Sequence, residues 1–292
     1  MTRLFTDDFL HAIERLRIVA RQVPLGGRHA EHRSRDLGSG IEFRDFRSYV
    51  PGDDLRRVDW NLYRRSGRVF LRLFEAPEDL HVYLLPDVSD SMFFETPPRA
   101  DAARQMAAVL AAVALNQHDR VGIFPFGGDL VTPLAPTSGR AALRRALEHL
   151  ERLGPAGPTD LVRSLRRFAA QPLRGGLAVV ISDFFDPRGV DEVIASLRLL
   201  RHRVLLVQVV KATDAAPSLD GELRLLDCES GRGIDVTATR ETIDRYRRAY
   251  QTFDEALGAF AARRRSLRVK LDADRRVLDQ LGDMFVGGVL VT

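Results

Sequence analysis

The sequence predicts an α/β protein built on a doubly wound, mostly parallel sheet flanked by helices, with an N-terminal extension before it. Three observations carry that prediction. From residue 80 onward, strand-like and helix-like segments alternate, which is the pattern of parallel strands joined by crossover helices. The strand segments Leu80–Asp87, Leu177–Asp183 and Arg203–Val210 are apolar almost throughout, as strands covered on both faces are. The first two end in aspartate, at the strand ends where ligands of open α/β sheets bind.

The elements follow in order. Residues 6–22 have helical spacing, with Phe9, Ile13, Leu16 and Val19 on one stripe. A polar, Gly-rich, basic stretch spans 26–40, and Pro51-Gly52-Asp53-Asp54 is a strong turn signal. Residues 68–75 alternate like a strand. The main alternation then predicts a strand at 80–87, a helix at 99–117, a strand at 120–126 and helices at 139–153 and 160–170. A strand at 177–183, a helix at 190–201 and a strand at 203–210 come next. Residues 221–230 and 233–239 read as an antiparallel edge pair. A long helix over about 240–265, a short strand and a helix at 274–284 complete the chain. The expected division is 1–77 as a helix and a second segment packed on the main domain, and 78–292 as that domain.

Composition narrows the function classes. With 45% hydrophobic and 29% charged residues, the chain has a globular balance. The net charge is +4, and Lys211 and Lys270 are the only lysines. The arginines are spread along the chain and interleaved with acids, which favours a solvated surface over a nucleic-acid patch. Cys228 is the single cysteine, so no intrachain disulfide and no cysteine zinc cluster can form, and a reducing cytoplasm is the expected setting. The first 22 residues carry early acids and no continuous apolar run, unlike a signal peptide, and no stretch has the ~18 apolar residues of a membrane span.

The chemistry concentrates at the predicted strand ends. Asp87-Val88-Ser89-Asp90-Ser91 follows the first strand, and alternation there directs Asp87, Ser89 and Ser91 one way and Asp90 another. Asp183 ends the strand at 177–183, and the loop before the helix at 160 offers Thr159. Two carboxylates and three hydroxyls make an all-oxygen set suited to Mg2+, with Mn2+ or Ca2+ as alternatives. Serine and aspartate also cap helices, so the first triplet alone is weak. Its strength lies in Thr159 and Asp183 falling at matching positions.

The run Asp87-x-Ser89-x-Ser91, then Thr159, then Asp183 resembles the metal-ion-dependent adhesion site of von Willebrand factor A domains. That resemblance implies a von Willebrand factor A-like fold. It implies direct metal binding by Ser89 and Ser91, direct or water-mediated binding by Thr159, and direct or water-mediated roles for Asp87 and Asp183. The loop departs from the family's pattern in reading Gly157-Pro158-Thr159, where the family often has a glycine before the threonine. This stiffens the loop but keeps the hydroxyl.

Upstream, Gly40-x-Glu42-Phe43-x-Asp45-x-Arg47-x-Tyr49-x-Pro51-Gly52-Asp53-Asp54-x-Arg56-x-x-Asp59-Trp60, with Arg65 and Phe74-Glu75, resembles the signature of the domain-of-unknown-function 58 (DUF58) family. In that family the signature precedes a von Willebrand factor A-like domain. The resemblance implies a partner, a MoxR-type AAA+ ATPase or its client, with this chain as an adaptor or assembly factor. The expected binding event is non-catalytic: a protein presenting an acidic side chain completes the metal's coordination.

Met92, Phe93 and Trp60 are candidate partner contacts, although Met92 and Phe93 can equally start the next buried element, and Trp60 with Arg56 and Asp59 suits a structural role. The seven histidines show no metal-ligand spacing. No G-x-S-x-G elbow, phosphate-binding P-loop or dinucleotide fingerprint is present. The rival readings are a Mg2+-dependent phosphoester hydrolase at the strand ends, for which no general base or phosphate-holding lysine is evident, and a nucleic-acid binder resting on Arg33, Arg35, Arg44 and Arg47.

Overall fold

The computed structural model describes residues 4–20, 42–49, 58–75 and 79–286. The basic 26–40 stretch, the turn at 51–54 and Arg56 lie outside the described residues. The elements in chain order are α1 (Asp7–Ala20), β1 (Glu42–Ser48), α2 (Trp60–Ser66), β2 (Phe70–Glu75), β3 (His81–Pro86), α3 (Ser91–Phe94), α4 (Arg99–Asn116), β4 (Arg120–Ile123), β5 (Leu134–Thr137), α5 (Arg140–Arg152), α6 (Leu161–Ala169), β6 (Leu177–Ser182), α7 (Val190–Arg198), β7 (Arg203–Val210), α8 (Ala212–Ala215), β8 (Gly221–Leu226), β9 (Gly233–Ala238), α9 (Arg240–Arg263), β10 (Leu267–Asp272) and α10 (Val277–Val286).

The protein is of the α/β class. Its central sheet has six strands in the order β10-β7-β6-β3-β4-β5. All neighbours pair in parallel except the edge strand β5, which runs antiparallel to β4. Strand alternation sends successive side chains to opposite faces. Val82, Leu84, Val179 and Ile181 join a core with residues of α1, α4, α5 and α10. Tyr83, Leu85, Ala178 and Val180 join a second core with α6, α7 and α9. Both faces are therefore covered, which explains why β3, β6 and β7 are apolar rather than alternating. The alanines of α4 are all buried and let that helix lie close on the sheet.

The chain divides into two compact units, Met1–Arg28 with Leu80–Thr292, and His29–Asp79. Helix α1 belongs with the sheet, because Phe5, Phe9 and Ile13 are buried in the same core as α4. It therefore groups apart from the segment that follows it, whereas the sequence reading joined the two as 1–77.

In the smaller unit, β1 and β2 form an antiparallel pair. Asp59 begins α2: its Oδ1 accepts from the Leu62 amide at 3.0 Å, the capping role aspartate favours. Trp60 is 58% exposed and meets Tyr63 edge to face at 6.1 Å. It is thus a surface residue and not a core aromatic.

The order of the sheet sets the site's position. The chain leaves β3 toward β4 and β5, then returns to place β6 on the other side of β3. The reversal opens a crevice beyond the carboxyl ends of β3 and β6.

Candidate metal centre

Asp87 stands one residue beyond β3, at the crevice. Its amide donates to the Ile181 carbonyl at 2.8 Å, so β6 fixes its backbone. Its side chain is fully buried. Oδ1 accepts from the Ser89 amide at 3.0 Å and the Ser89 hydroxyl at 2.7 Å. Oδ2 accepts from the Ser182 hydroxyl at 2.6 Å. Ser182 Oγ in turn accepts from the Phe184 amide at 2.9 Å. Phe184 is buried with φ of 65°, an uncommon left-handed conformation for a bulky residue.

From Asp87 the hydroxyls run outward as a chain. Ser89 Oγ lies 3.2 Å from Ser91 Oγ, and Ser91 Oγ lies 3.2 Å from Thr159 Oγ1. Thr159 reaches this place through a laced loop. The Ala156 amide donates to the Val88 carbonyl at 2.9 Å, and the Asp90 and Gly157 backbones bond at 2.9 Å. Asp90 Oδ1 accepts from the Gly157 amide at 3.0 Å. Asp90 does turn away from the hydroxyls, but only to tie down the loop that carries Thr159. Gly157 has φ of 83°, which a residue with a Cβ adopts poorly. Just beyond, Asp160 caps α6 through the Arg163 amide at 2.8 Å.

Asp183, one residue beyond β6, is also buried. Its Oδ1 accepts from the Phe185 amide at 3.0 Å. Burial, reinforced by the nearby charge of Asp87, pushes its carboxyl up to about 7. Asp87 is pushed up to about 6, mainly by burial, with Glu229 adding to it, against the lowering effect of Ser182 and Ser89. Among the described residues no lysine or arginine forms an ion pair with either acid.

The donor set fits a hard divalent cation. Every side-chain atom of the set is oxygen, and among the described residues the two buried carboxylates form no ion pair, although the charge of Arg99 is near enough to lower Asp183 somewhat. Neighbouring ligand oxygens around Mg2+ at ~2.1 Å stand ~3 Å apart, close to the hydroxyl spacings seen here. Among the described residues no three His, Cys, Asp or Glu side chains group as metal ligands, so hydroxyls would make up the set.

Two features of the site were not read from the sequence. Ser182 looks like part of an apolar strand, and only its adjacency to Asp183 hinted at a role. Glu229, between β8 and β9, accepts from the Thr159 amide at 2.9 Å and the Thr159 hydroxyl at 2.6 Å. It also accepts a longer bond of 3.4 Å from the Ser91 amide.

The candidate partner contacts separate. Met92 is fully buried in the main core, which corrects its assignment as a surface contact: α3 turns it inward. Phe93 is half-buried, with the Arg104 guanidinium 5.2 Å from its ring. Phe94, which follows them and with them forms an apolar rim if exposed, is 73% exposed. Phe185, two residues after Asp183, is also exposed and stacks on Phe253 at 4.9 Å.

Beside the site, at the ends of β7 and β10, a second charged cluster is fully paired. Arg99 clamps Asp214 through two bonds of 2.8 and 2.5 Å. Lys211 Nζ donates to the Pro97 carbonyl at 2.8 Å and pairs with Glu95 at 2.9 Å. These cations are committed within the fold, so among the described residues they offer no free phosphate-holding group.

Fold and site together define a parallel α/β domain with an oxygen-rich cluster at its topological switch point. The chain belongs to the family described as "Protein of unknown function DUF58", whose profile matches residues 45–256. Among its relatives, the uncharacterized protein Rv1480 of Mycobacterium tuberculosis (strain H37Rv) and the uncharacterized protein Mb1516 of Mycobacterium bovis are each 29% identical over 225 residues, 75% of this chain and 71% of theirs. Among solved structures, it is similar to the conserved hypothetical protein BatB from Bacteroides thetaiotaomicron, with a TM-score of 0.42 and 16% identity over 71% of this chain and 98% of that one. It is also similar to an aerotolerance-related membrane protein from Bacteroides fragilis, with a TM-score of 0.44 and 19% identity over 72% of this chain and 98% of that one. In the described part of this chain, no helix is long and apolar enough to cross a membrane.

Proposed function

We propose that this protein is a non-catalytic, divalent-metal-dependent protein-binding module, with a von Willebrand factor A-like domain whose adhesion-type site consists of Asp87, Ser89, Ser91, Thr159 and Asp183. The observation that carries the reading is the unbroken oxygen chain from Asp87 through Ser89 and Ser91 to Thr159, at spacings of 2.7, 3.2 and 3.2 Å. In this reading Ser89, Ser91 and Thr159 hold a Mg2+ ion, and Asp87 and Asp183 hold it directly or through water. The bound ion supplies a Lewis-acidic position for a carboxylate. The residues of the chain orient that position, keep its floor dry and present Phe94 and Phe185 as an apolar rim. A low local dielectric strengthens the resulting charge pairing.

The partner is a protein offering an acidic side chain. A MoxR-type AAA+ ATPase or its client, with this chain as adaptor or assembly factor in the cytoplasm, fits the resemblance of the signature segment. The commitment of Arg99 and Lys211 to internal pairs favours binding over phosphoester hydrolysis.

The test is calorimetric titration of the chelator-treated protein with Mg2+ and Mn2+, beside Asp87→Ala. We expect one saturable ion, lost in the variant while the variant's circular dichroism stays native. Unchanged affinity in the folded variant would refute the site.

A further inference from the structure

The β8–β9 hairpin stands apart from the central sheet, forming a two-stranded sheet of its own. It buries almost nothing. From Arg224 to Asp235 every residue is exposed except Glu229. A solvated loop that turns one half-buried acid inward requires a reason, because taking a carboxylate even partly out of water costs free energy unless something compensates it. The compensation visible in the chain is the pair of bonds from Thr159 at 2.9 and 2.6 Å and the longer one from Ser91. Both contacts are with residues of the oxygen chain, on its outermost members. The two are 70 and 138 residues away in sequence.

The tip is shaped to hold the acid there. Asp227 Oδ1 accepts from the Glu229 amide at 3.0 Å, and Asp227 Oδ2 accepts from the Ser230 hydroxyl. The Asp227 amide donates to the Arg232 carbonyl at 2.8 Å, and the Gly231 amide donates to the Asp227 carbonyl at 2.8 Å. Gly231, at φ of 68°, closes the turn. The turn is therefore built by its own backbone and the Asp227 side chain, and the Glu229 carboxylate bonds instead to Thr159 and Ser91. At the same time Glu229 is near enough to Asp87 for its charge to push that carboxyl up. That arrangement is repulsive on its own and becomes attractive around a cation.

We propose that Glu229 is a tethered ligand of the metal centre: the hairpin lays its own carboxylate on the open position, so the site is closed to an external acid until the hairpin lifts away. This rests on the metal reading of Asp87, Ser89, Ser91, Thr159 and Asp183. It also defines the external partner's chemistry. The partner carries an exposed glutamate or aspartate on a turn that can reach Thr159 and Ser91, and it competes with the hairpin rather than adding to it.

The test uses the full chain, stripped with chelator, and Mn2+ as the probe. Mn2+ affinity and hydrogen exchange of the amides over 221–238 are measured for wild type, Glu229→Gln, Glu229→Ala and Asp87→Ala. In wild type, Mn2+ should slow exchange at the hairpin tip. Both Glu229 variants should lose that response and bind Mn2+ about tenfold more weakly or worse, a loss of the size that follows removal of groups supporting a metal. Added acetate should restore Mn2+ affinity in Glu229→Ala and leave wild type unchanged.

Equal Mn2+ affinity in wild type and both Glu229 variants, with tip exchange indifferent to metal, would overturn the tethered ligand and leave the metal centre standing. Absence of Mn2+ binding in wild type and variants alike would overturn the metal centre, and this inference with it. Tip protection that disappears on dilution would place Glu229 on a second copy of the chain and overturn the intramolecular arrangement.

Discussion

Two clusters of buried charge lie at the carboxyl ends of the sheet, and they are treated oppositely. At β7 and β10 the chain neutralises its own acids: Arg99 clamps Asp214, and Lys211 pairs with Glu95. At β3 and β6, Asp87 and Asp183 receive only hydroxyl and amide donors. Arg99 is near enough to lower the Asp183 carboxyl somewhat through its charge, yet among the described residues no cation forms an ion pair with either acid. The contrast teaches that the two acids at β3 and β6 keep their charge penalty within the fold, whereas the first cluster is paired internally. Substitutions that remove one member from each cluster should therefore act in opposite directions on stability.

The largest effect should come from Arg99→Ala. Both Arg99 and Asp214 side chains are less than a tenth exposed. Removing one partner of such a pair leaves an uncompensated buried charge and costs roughly 3–5 kcal/mol. A melting temperature lower by about 10 °C is expected at this chain length. A drop of only a degree or two in thermal denaturation would place the pair among exposed, weak bridges and erase the contrast.

Asp183→Asn should do the reverse. The folded protein holds the Asp183 proton up to about 7, against an ordinary value of 3.8. The folded state therefore binds the proton more tightly than the unfolded one, and stability falls as pH rises through that window. The penalty is complete above about 7 and fades toward 3.8. The uncharged amide escapes it. Without metal, the variant should melt about 3 °C or more above wild type at pH 8, and the gain should shrink toward pH 5. Saturating Mg2+ should stabilise wild type and not the variant. A variant less stable than wild type at pH 8 without metal would show that the carboxylate is already satisfied within the fold.

The sheet was legible because its physics is local. Buried parallel strands must be apolar, so β3, β6 and β7 are visible in the sequence, and the acids that end β3 and β6 mark the crevice. Strand β5 was missed because it is a four-residue edge, Leu-Ala-Pro-Thr, too short for periodicity and interrupted by proline. The side of Met92 stays open in the sequence because a single turn of helix, α3, has no repeat from which to tell its buried side. Glu229 was invisible for a different reason. It sits in a polar turn 138 residues from Ser91, and nothing in a turn's composition says where its tip will touch. Contacts between distant loops belong to the tertiary fold alone.

Asp90→Ala sharpens the comparison at smaller scale. Asp90 lies between two site residues yet serves the loop of Thr159, through its bond to the Gly157 amide. Its loss should cost about 1 kcal/mol and weaken Mn2+ binding by less than about tenfold, since the hydroxyl shifts without disappearing. Mn2+ titration should place this variant between wild type and Asp87→Ala. An effect as complete as that of Asp87→Ala would make Asp90 part of the ligand set.

The smallest effect is expected at Trp60. Aromatic residues of this size usually dominate core energetics, and the sequence reading gave Trp60 a structural role on that ground. It is instead 58% exposed, with an edge-to-face contact to a Tyr63 that is itself 42% exposed. Little apolar area is recovered from water there, so Trp60→Ala should change unfolding free energy by no more than about 0.5 kcal/mol, as surface substitutions do. Denaturant titration measures this directly. A loss of several kcal/mol would return Trp60 to the core, whereas intact stability with weakened capture of an acidic partner would make it part of a binding surface.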